Sequence, residues 1–286
     1  MDVFSIRLSD PLYPELLKEI FDPPSPLYYS GNIEILKNPR VAIVGTRDCT
    51  AQGEAIAFSF AKALSLRGIT IVSGLAFGID ASAHLGALEG GGGTIAVLAN
   101  PLPQVQPSTH TGLAKKIIEN GGLLLSEKSG QQEYYKSDYL VRNRIIAGLC
   151  KAVLVVEAGF KSGALNTASH ALDNGREVLA IPGRITDDKS AGTLKLIRDG
   201  GVLISSPKEV AEALGVPWTT IREAPGHLDK FSKEIFSLIQ KKPKSMAELC
   251  EEFPSSIRDL CASITTLEMQ GFLRLGLDQR YFLVKN

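Results

Sequence analysis

The sequence predicts an α/β fold with a doubly wound, mostly parallel sheet, followed by a small C-terminal domain of a different kind. Between residues 40 and 205, short Val- and Ile-rich segments alternate with longer helical segments, as in parallel strands joined by crossover helices. From residue 228, amphipathic helical segments precede strand-like segments. The first pattern is typical of Rossmann-like domains and the second of winged-helix domains.

The chain divides by composition into successive parts. Residues 1–39 contain turn-forming pairs such as Asp10-Pro11, Ser25-Pro26 and Ser30-Gly31 and are interpreted as a lead-in segment that is not an independent domain. Residues 40–215 carry the alternating strands and helices and form the predicted Rossmann-like domain. Residues 216–227 contain further prolines and are predicted to be a linker. Residues 228–286 form the predicted winged-helix domain.

Each strand of the Rossmann-like domain is predicted from a short run of β-branched and other apolar residues. The predicted strands cover residues 40–45, 69–72, 94–98, 123–125, 153–156, 177–181 and 202–205. Each helix is predicted from a longer segment between two strands, and Gly68 closes the first of them. The predicted helices cover residues 51–67, 81–88, 113–120, 164–174 and 192–198.

The winged-helix domain is predicted from its apolar spacing. Phe231 and Ile235 recur on one face of a first helix, and Ser245 with Glu248 is a capping box that opens a second. A third helix covers 255–270, and a strand pair follows it. Because acidic and basic residues nearly balance in this domain, we expect a protein contact or a weak DNA contact, not a helix that reads duplex DNA.

The overall composition argues against several classes of protein. Lys+Arg and Asp+Glu both number 31 in the 286 residues, so the formal net charge is zero and any polyanion site must come from local clustering. No apolar run approaches the roughly 18 residues of a membrane span, and no signal pattern opens the chain, so we expect no membrane span and a cytoplasmic protein. The 4 cysteines are scattered and the histidines lack spacing partners, which predicts neither disulfides nor a metal site.

No cofactor is predicted. A Gly-x-Gly-x-x-Gly turn is missing after the first strand, and no acidic residue ends the second, so a dinucleotide is poorly supported. The glycine run 90–93 precedes a strand instead of linking a strand to a helix, so it is interpreted as a flexible connector.

The strand predicted over 153–156 is followed by a small-residue turn. In an open α/β sheet, ligands bind outside the carboxyl ends of the strands. Lys161, Ser162 and Gly163 follow this strand and are therefore predicted to lie at a ligand site. The helix that begins near Gly163 offers free backbone N–H groups to a phosphate, although Ser162 suits a simple N-cap equally well.

Arginines precede the same strand and supply positive charge. Arg142 and Arg144 are two residues apart on a helix and cannot point the same way. We expect one of them to contact the ligand and the other to pair with Glu157, and a structural ion pair is the alternative for whichever is more buried. Glu157 lacks a nucleophile, a metal pair or a histidine partner, so a general-base role is not favoured. His84, in an Ala-rich helix, is predicted to be a packed core histidine.

Several long motifs occur in the order typical of one known family. They are Val44-Gly45-Thr46-Arg47, Ser73-Gly74-Leu-Ala-Phe-Gly78-Ile-Asp80 with Ala83-His84, Arg142-Asn-Arg-Ile-Ile-Ala-Gly-Leu149, Val156-Glu157-Ala with Ser162-Gly163 and Thr167, and Ile181-Pro182-Gly183. On these motifs the chain resembles the DNA-processing protein A family, also called DprA or Smf, over about residues 13–203 and again over 228–286. The resemblance implies a Rossmann-like protein without catalytic activity that binds single-stranded DNA and forms a homodimer. It also implies delivery of incoming DNA to a RecA-type recombinase in natural transformation.

The candidate contacts to single-stranded DNA follow from this resemblance and from the expectation that ligands bind outside the carboxyl ends of the β-strands. Phosphate contacts are expected from Arg47, Lys136 and the arginines of the central motif, and Tyr139 is expected to stack on an exposed base. The further expected DNA contacts are Ser73, Gly74, Arg142, Asn143, Arg144, Lys161, Ser162 and Gly163. The alternatives are a solvated surface position for Arg47 and core packing for Tyr139.

The chain departs from the family pattern in specific places. The amino-terminal helical domain of many members has no counterpart in these residues. Phe77 stands where the family has an arginine, and Gln106-Pro107-Ser-Thr-His110 replaces the family's Tyr-Pro-x-x-Asn motif. Both changes affect local contacts, whereas Arg47 and Arg142–Arg144 match the family.

The helix near Gly192–Arg198 is predicted to form the dimer interface, because Leu194, Leu196 and Ile197 make it apolar on more than one side. Other functions stay open on the sequence alone. One is a nucleotide-binding or nucleotide-hydrolysing Rossmann-like enzyme, which Glu157 matches loosely without the Pro-Gly-Gly turn of such enzymes. Another is a nucleotide-sensing regulator whose winged-helix domain binds duplex DNA.

Overall fold

The computed structural model describes residues 1–218, 228–241, 243–254, 256–276 and 279–284. The chain separates into compact units over residues 1–218 and 219–286. Most of the linker predicted over 216–227 lies outside the described residues.

A nine-stranded sheet forms the centre of residues 1–218. Its strands are β1 (Phe4–Ile6), β2 (Leu27–Gly31), β3 (Arg40–Val44), β4 (Thr70–Ser73), β5 (Thr94–Leu98), β6 (Leu123–Ser126), β7 (Ala152–Val155), β8 (Glu177–Ala180) and β9 (Val202–Leu203). They are ordered β1-β2-β6-β5-β4-β3-β7-β8-β9, and neighbours from β6 to β9 pair in parallel. This arrangement confirms the predicted doubly wound, mostly parallel fold.

Helices cover both faces of this sheet. They are α1 (Glu15–Lys18), α2 (Ala51–Ser65), α3 (Ile79–Glu89), α4 (Thr111–Glu119), α5 (Asp138–Gly148), α6 (Gly163–Asp173), α7 (Ala191–Arg198) and α8 (Pro207–Ala213). On one face, Val44 and Val155 pack with residues of α1, α5 and α6. On the other, Ile43 and Leu154 pack with residues of α2, α3 and α8. Because both faces are covered, the central strands are apolar at successive positions, without the alternation of a half-exposed strand.

The lead-in segment contributes strands that the sequence does not predict. β1 and β2 pair with each other, and β2 also pairs antiparallel with β6. In this second pair Tyr28 lies opposite Ser126. The fully buried Leu27 and the nearly buried Ile6 join the main core. The frequent prolines of residues 1–39 hide these short strands, and an antiparallel edge strand needs no crossover helix to mark it.

His84 on α3 is fully buried, which confirms its prediction as a core histidine. Its Nδ1 lies 2.7 Å from the Thr94 Oγ1, and that hydroxyl donates to the Ile71 carbonyl oxygen at 2.8 Å. Because the Thr94 hydroxyl donates its hydrogen to Ile71, it can only accept from His84. The Nδ1 of His84 therefore carries the hydrogen, and its Nε2 is a buried acceptor. Nε2 has no hydrogen-bond partner among the described residues. Burial lowers the pKa of His84 to about 3.

This histidine is expected to make the fold acid-sensitive. The imidazole has a pKa of about 6.5 in the unfolded state and of about 3 in the folded state. Between these two pH values the unfolded state binds a proton and the folded state does not, so acid favours unfolding. We expect the free energy of unfolding to fall by up to about 1.4 kcal/mol per pH unit below pH 6 from this group.

The measurement compares denaturant unfolding of the wild type and His84→Gln at several pH values. Glutamine keeps a donor for Thr94 but does not titrate, and the difference between the two proteins removes the carboxylate titrations they share. A difference that stays constant from pH 7 to pH 5 would contradict this assignment.

The described part of residues 219–286 has its own core. Its helices are α9 (Lys230–Lys241), α10 (Met246–Glu252) and α11 (Ile257–Met269), and its strands are β10 (Lys244–Ser245), β11 (Leu273–Leu275) and β12 (Arg280–Leu283). The strands form an antiparallel sheet in the order β10-β12-β11. Ser245 and Glu248 form the predicted capping box. The winged-helix identity of this unit stays a prediction.

Candidate nucleic-acid interface

The central strands β3 and β7 lie side by side, although the chain builds β4, β5 and β6 between them. The chain therefore leaves β3 in one direction and returns on its other side, which makes a topological switch point of the kind where open α/β sheets bind ligands. The Thr46 N–H donates to the Glu157 carbonyl oxygen at 2.8 Å, so the loops that follow these strands lie against each other.

A cleft of about 350 Å³ occupies this switch point. The loop after β3, the segment after β4, the first turns of α5 and the start of α6 line it. Of the residues predicted to contact DNA, the lining includes Arg47, Tyr139, Arg142, Asn143, Ser162 and Gly163. Motifs that are far apart in the sequence therefore meet at one site.

Two guanidinium groups lie near the ring of Tyr139. The Cζ of Arg47 lies 5.3 Å from the ring centroid, and the Cζ of Arg142 lies 6.0 Å from it. Cation–π attraction at these distances restrains the ring beside the positive charges. Tyr139 is half-buried in the cleft wall and Arg47 is exposed. The core-packing alternative for Tyr139 is therefore not supported.

Arg142 is almost fully buried and forms the floor of the cleft. Its Nη1 donates to the Gly74 carbonyl oxygen at 3.0 Å and to the Val97 carbonyl oxygen, and its Nε donates to the Asn143 Oδ1 at 3.2 Å. Burial lowers the pKa of Arg142 to about 10, and the nearby Asp80 opposes this shift. The group still carries its charge at neutral pH, so it contributes positive potential from below the cleft.

Asp80 is the residue whose role sequence reasoning missed. It is 6% exposed, and its Oδ2 accepts from the Gly74 N–H at 3.0 Å and the Ala76 N–H at 3.4 Å. Burial raises the pKa of Asp80, while Arg142 and these N–H groups oppose the rise. A carboxylate in the first turn of α3, just after a glycine-containing loop, is the signal that would have identified it.

Ser73 and Gly74 support the cleft from beneath and do not reach its surface. Ser73 is fully buried, and its hydroxyl donates to the Ile43 carbonyl oxygen at 2.7 Å. A Cβ added at Gly74 would lie 2.7 Å from the Arg142 Nη2 and 2.8 Å from the Asp80 Oδ2. The prediction of direct DNA contacts from Ser73 and Gly74 is therefore corrected to a packing role, because their polar groups are already bonded inside the protein.

The start of α6 forms the other wall. Ser162 is the N-cap, and its Oγ accepts from the Ala164 N–H at 3.3 Å. The Asn143 amide donates to the Asn166 Oδ1 at 3.1 Å and approaches the Gly163 carbonyl oxygen at 3.4 Å. Gly163 is exposed, and no heavy atom lies within 4 Å of where its Cβ would be. An open helix N-terminus thus faces the cleft.

Arg144 points away from this site. Its Nη2 donates to the Asp22 Oδ2 at 3.1 Å and to the Glu127 Oε1, and its side chain is 11% exposed. Arg144 therefore ties α5 to the lead-in segment. The prediction of a phosphate contact from Arg144 is corrected to a structural ion pair, because Asp22 and Glu127 already neutralise its charge. The sequence left an ion pair as the alternative for the more buried of the two arginines, which is Arg142.

Glu157 pairs with neither arginine, so that part of the prediction is wrong. Its carboxylate accepts from the Thr50 N–H at 2.9 Å and from the Thr50 hydroxyl. Thr50 is the N-cap of α2, and its Oγ1 also accepts from the Gly53 N–H at 3.0 Å. The carboxylate therefore stabilises the start of a helix, where its negative charge is favourable.

The remaining predicted residues, Lys136 and Lys161, are exposed on loops that border the cleft elements. Lys136 precedes α5 in a loop where the Asp138 Oδ2 accepts from the Lys128 Nζ at 2.6 Å and the Tyr135 N–H at 2.7 Å. Lys161 directly precedes the N-cap of α6. Within the described residues, no ion pair of Lys136 or Lys161 occurs, so their charges are available to an anion.

A larger cavity of about 530 Å³ lies near the amino ends of β3 and β7, beside Arg40 and Lys151. The amino end of a parallel sheet is not where α/β folds bind ligands, so the switch-point cleft is the stronger candidate. Across the described ranges, no group of three His, Cys, Asp or Glu residues is arranged to hold a metal ion. No helix in the described residues is long and apolar enough to cross a membrane.

Solved structures share this fold. The X-ray structure of DNA processing protein A from Streptococcus pneumoniae matches with a TM-score of 0.70 and 42% identity, covering 74% of each chain. DNA processing protein A from Helicobacter pylori, a protein with a unique single-stranded DNA binding mode, matches with a TM-score of 0.67 and 29% identity. That match covers 75% of this chain and 96% of the other.

Sequence relatives agree with these structures. DNA processing protein DprA of Streptococcus pneumoniae is 43% identical over 206 residues, which cover 72% of both proteins. Protein Smf of Escherichia coli is 43% identical over 208 residues, 72% of this chain but 56% of that protein. Protein Smf of Synechocystis is 34% identical across 95% of this chain and 78% of its own length. The family model for DNA recombination-mediator protein A matches residues 5–215. The chain therefore belongs to the DNA recombination-mediator protein A family, the family of the DNA-processing proteins DprA and Smf.

Proposed function

We propose that the protein binds single-stranded DNA in the cleft at the switch point and acts without catalysis of its own. The observation that carries the proposal is the Tyr139 ring in the cleft wall, with the guanidinium groups of Arg47 and Arg142 within 5.3 and 6.0 Å of its centroid. An aromatic surface next to cations suits a single strand, whose unpaired bases stack while its phosphates meet positive charge. The single-strand binding of the Helicobacter pylori relative supports the same ligand class.

The other groups of the cleft fit this ligand. Lys136 and Lys161 are exposed and can contact further phosphates of the DNA strand beyond the cleft. The exposed N-terminus of α6 at Gly163 offers backbone N–H groups to a phosphate. Glu157, the residue that an enzymatic alternative would need as a base, is already bonded to Thr50. The cleft is therefore better suited to hold a strand than to cleave a nucleotide.

We also propose a role in recombination that matches the family. In this role the protein covers incoming single strands, protects them and helps to load a RecA-type recombinase during natural transformation. A homodimer would place more than one cleft on a long strand and raise its effective affinity. The support for the recombinase is family membership, and the support for a dimer includes the apolar edge at β9.

The phosphate role of Arg47 is tested by a salt series. We expect Arg47→Ala to weaken binding of any single strand about tenfold at low salt, whatever its base sequence, because a charge-assisted phosphate contact carries no base information. The slope of log affinity against log salt should fall by roughly 0.7 for each phosphate that the protein no longer neutralises. Lys136→Ala should behave in the same way. Fluorescence anisotropy with labelled oligonucleotides measures both quantities.

Lys115→Ala is the matched control, since Lys115 is an exposed lysine of α4 beside Asp2 and Phe4, away from the cleft. It should leave the salt slope unchanged. An Arg47→Ala protein that keeps the wild-type slope but changes its base preference would contradict the phosphate role. A wild type that binds no single strand at any salt concentration would refute the proposed function.

A further inference from the structure

Phe77 presents an aromatic ring to solvent and directly follows Ala76, which lines the cleft. It lies between β4 and α3, and 48% of the residue is exposed. A large apolar side chain at this exposure gains little from the core, so its position needs another contact.

His110 provides that contact. Its ring centroid lies 4.8 Å from that of Phe77 with 65° between the planes, an edge-to-face arrangement favoured by the charge distribution of aromatic rings. The His110 Nδ1 lies 2.9 Å from the Leu75 carbonyl oxygen. A carbonyl only accepts, so Nδ1 donates and the orientation of the imidazole is fixed. Phe77 is therefore restrained by a partner that is itself anchored to the backbone of the same loop.

The backbone on either side of Phe77 belongs to the cleft. Ala76 lines it. Gly78 has a φ of 73°, and a Cβ there would lie 2.6 Å from the Thr46 carbonyl oxygen and 2.7 Å from that of Arg47. The loop with Phe77 thus packs directly on the backbone of the loop with Arg47. A strand whose phosphate meets Arg47 would pass this exposed ring.

We propose that Phe77 is a second base-stacking surface, which receives the base next to the phosphate held by Arg47, and that His110 is its positioning residue. This inference rests on the proposed function. Where the family has an arginine, this chain offers an aromatic ring on which any base can stack. The site therefore uses aromatic rings on Phe77 and Tyr139, with the Arg47 loop adjoining both.

The test uses an oligothymidylate and a strand of the same length in which abasic residues replace the bases. Both probes carry the same phosphates, so only stacking distinguishes them. Phe77→Leu should weaken oligothymidylate binding about tenfold, the scale expected for one stacked base, with the salt slope unchanged. Binding of the abasic strand should stay at the wild-type level, whereas Arg47→Ala should weaken both probes. Phe77→Trp should retain wild-type binding of oligothymidylate.

Phe4→Leu is the matched control. Phe4 is 54% exposed and contacts another aromatic ring, Tyr29, at 5.5 Å, but it lies on β1 at the far edge of the sheet. This variant should bind both probes as the wild type does.

His110→Ala should reproduce part of the affinity decrease that Phe77→Leu causes on oligothymidylate. The double variant should bind no more weakly than Phe77→Leu alone, because both substitutions act through one ring. Equal decreases on both probes, or wild-type binding by Phe77→Leu, would overturn the proposal while the cleft function stands. A wild type that binds neither probe would remove the proposed function together with it.

Discussion

Replacing Arg142 with alanine is expected to lower the free energy of unfolding of residues 1–218 by about 3–5 kcal/mol. The change removes a buried donor from the carbonyl oxygens of Gly74 and Val97, each of which costs about 1–3 kcal/mol when left unsatisfied. It also leaves the buried carboxylate of Asp80 without the positive charge that favours its ionised form. Chemical denaturation followed by circular dichroism measures the decrease.

Asp80→Asn tests whether Arg142→Ala lowers stability through the unpaired charge of Asp80 or only through the cavity that the substitution leaves. In the wild type it should destabilise, because it removes a charge that Arg142 requires. In the Arg142→Ala background it should instead restore stability, because the buried charge is gone while the side-chain oxygen can still accept from Gly74 and Ala76. If Asp80→Asn has the same effect in both backgrounds, the two side chains are not coupled and our account of the cleft floor is wrong.

Leu203→Lys is expected to convert a dimer into a monomer. β9 pairs with β8 and lies at the end of the sheet, where Val202 and Leu203 are each 49% exposed. An apolar edge strand with unpaired backbone groups is a ready site for pairing with a second copy, and a lysine is what natural edge strands use to prevent it. We expect the dimer dissociation constant to rise by more than about 100-fold, since charge burial costs several kcal/mol.

Analytical ultracentrifugation at micromolar concentrations measures the mass, with 30.7 kDa expected for a monomer. Leu172→Lys is the matched control, because Leu172 is an exposed leucine of α6 and not on the edge strand. The Leu203→Lys monomer should also bind long strands more weakly than the wild type. A wild type that sediments as a monomer, or a Leu203→Lys protein with wild-type self-association, would refute a dimer through this edge.

The proposed dimer interface illustrates what the sequence predicts and what it does not. Its apolar residues identify α7 as a candidate, but periodicity cannot tell which leucine faces inward. Leu196 packs on the main core, while Leu194 and Ile197 are partly buried. The edge strand β9 adds exposed apolar area beside α7 that strand prediction alone does not reveal, since edge position depends on the strand order.

The fold itself was predictable from residues 40–205, because fully buried parallel strands and amphipathic helices each leave a strong local pattern. The switch-point position of Arg47 followed from topology in the same way. Several features escaped prediction because they depend on tertiary contacts. Among them are the antiparallel pair β1 and β2 and the choice of partner for Arg144, whose acidic neighbours Asp22 and Glu127 are distant in sequence.

The close approach of Gly74 to both Arg142 and Asp80 restricts how this protein can evolve. Any side chain at position 74 would occupy the space of the guanidinium and the carboxylate. Neutralising the side chain at position 80 or 142 leaves the other with an unpaired buried charge, so each single substitution is expected to destabilise the fold. Position 142 is far from positions 74 and 80 in the sequence, yet the three residues lie together in the fold. The floor of the cleft is therefore expected to change only by concerted substitution of these residues.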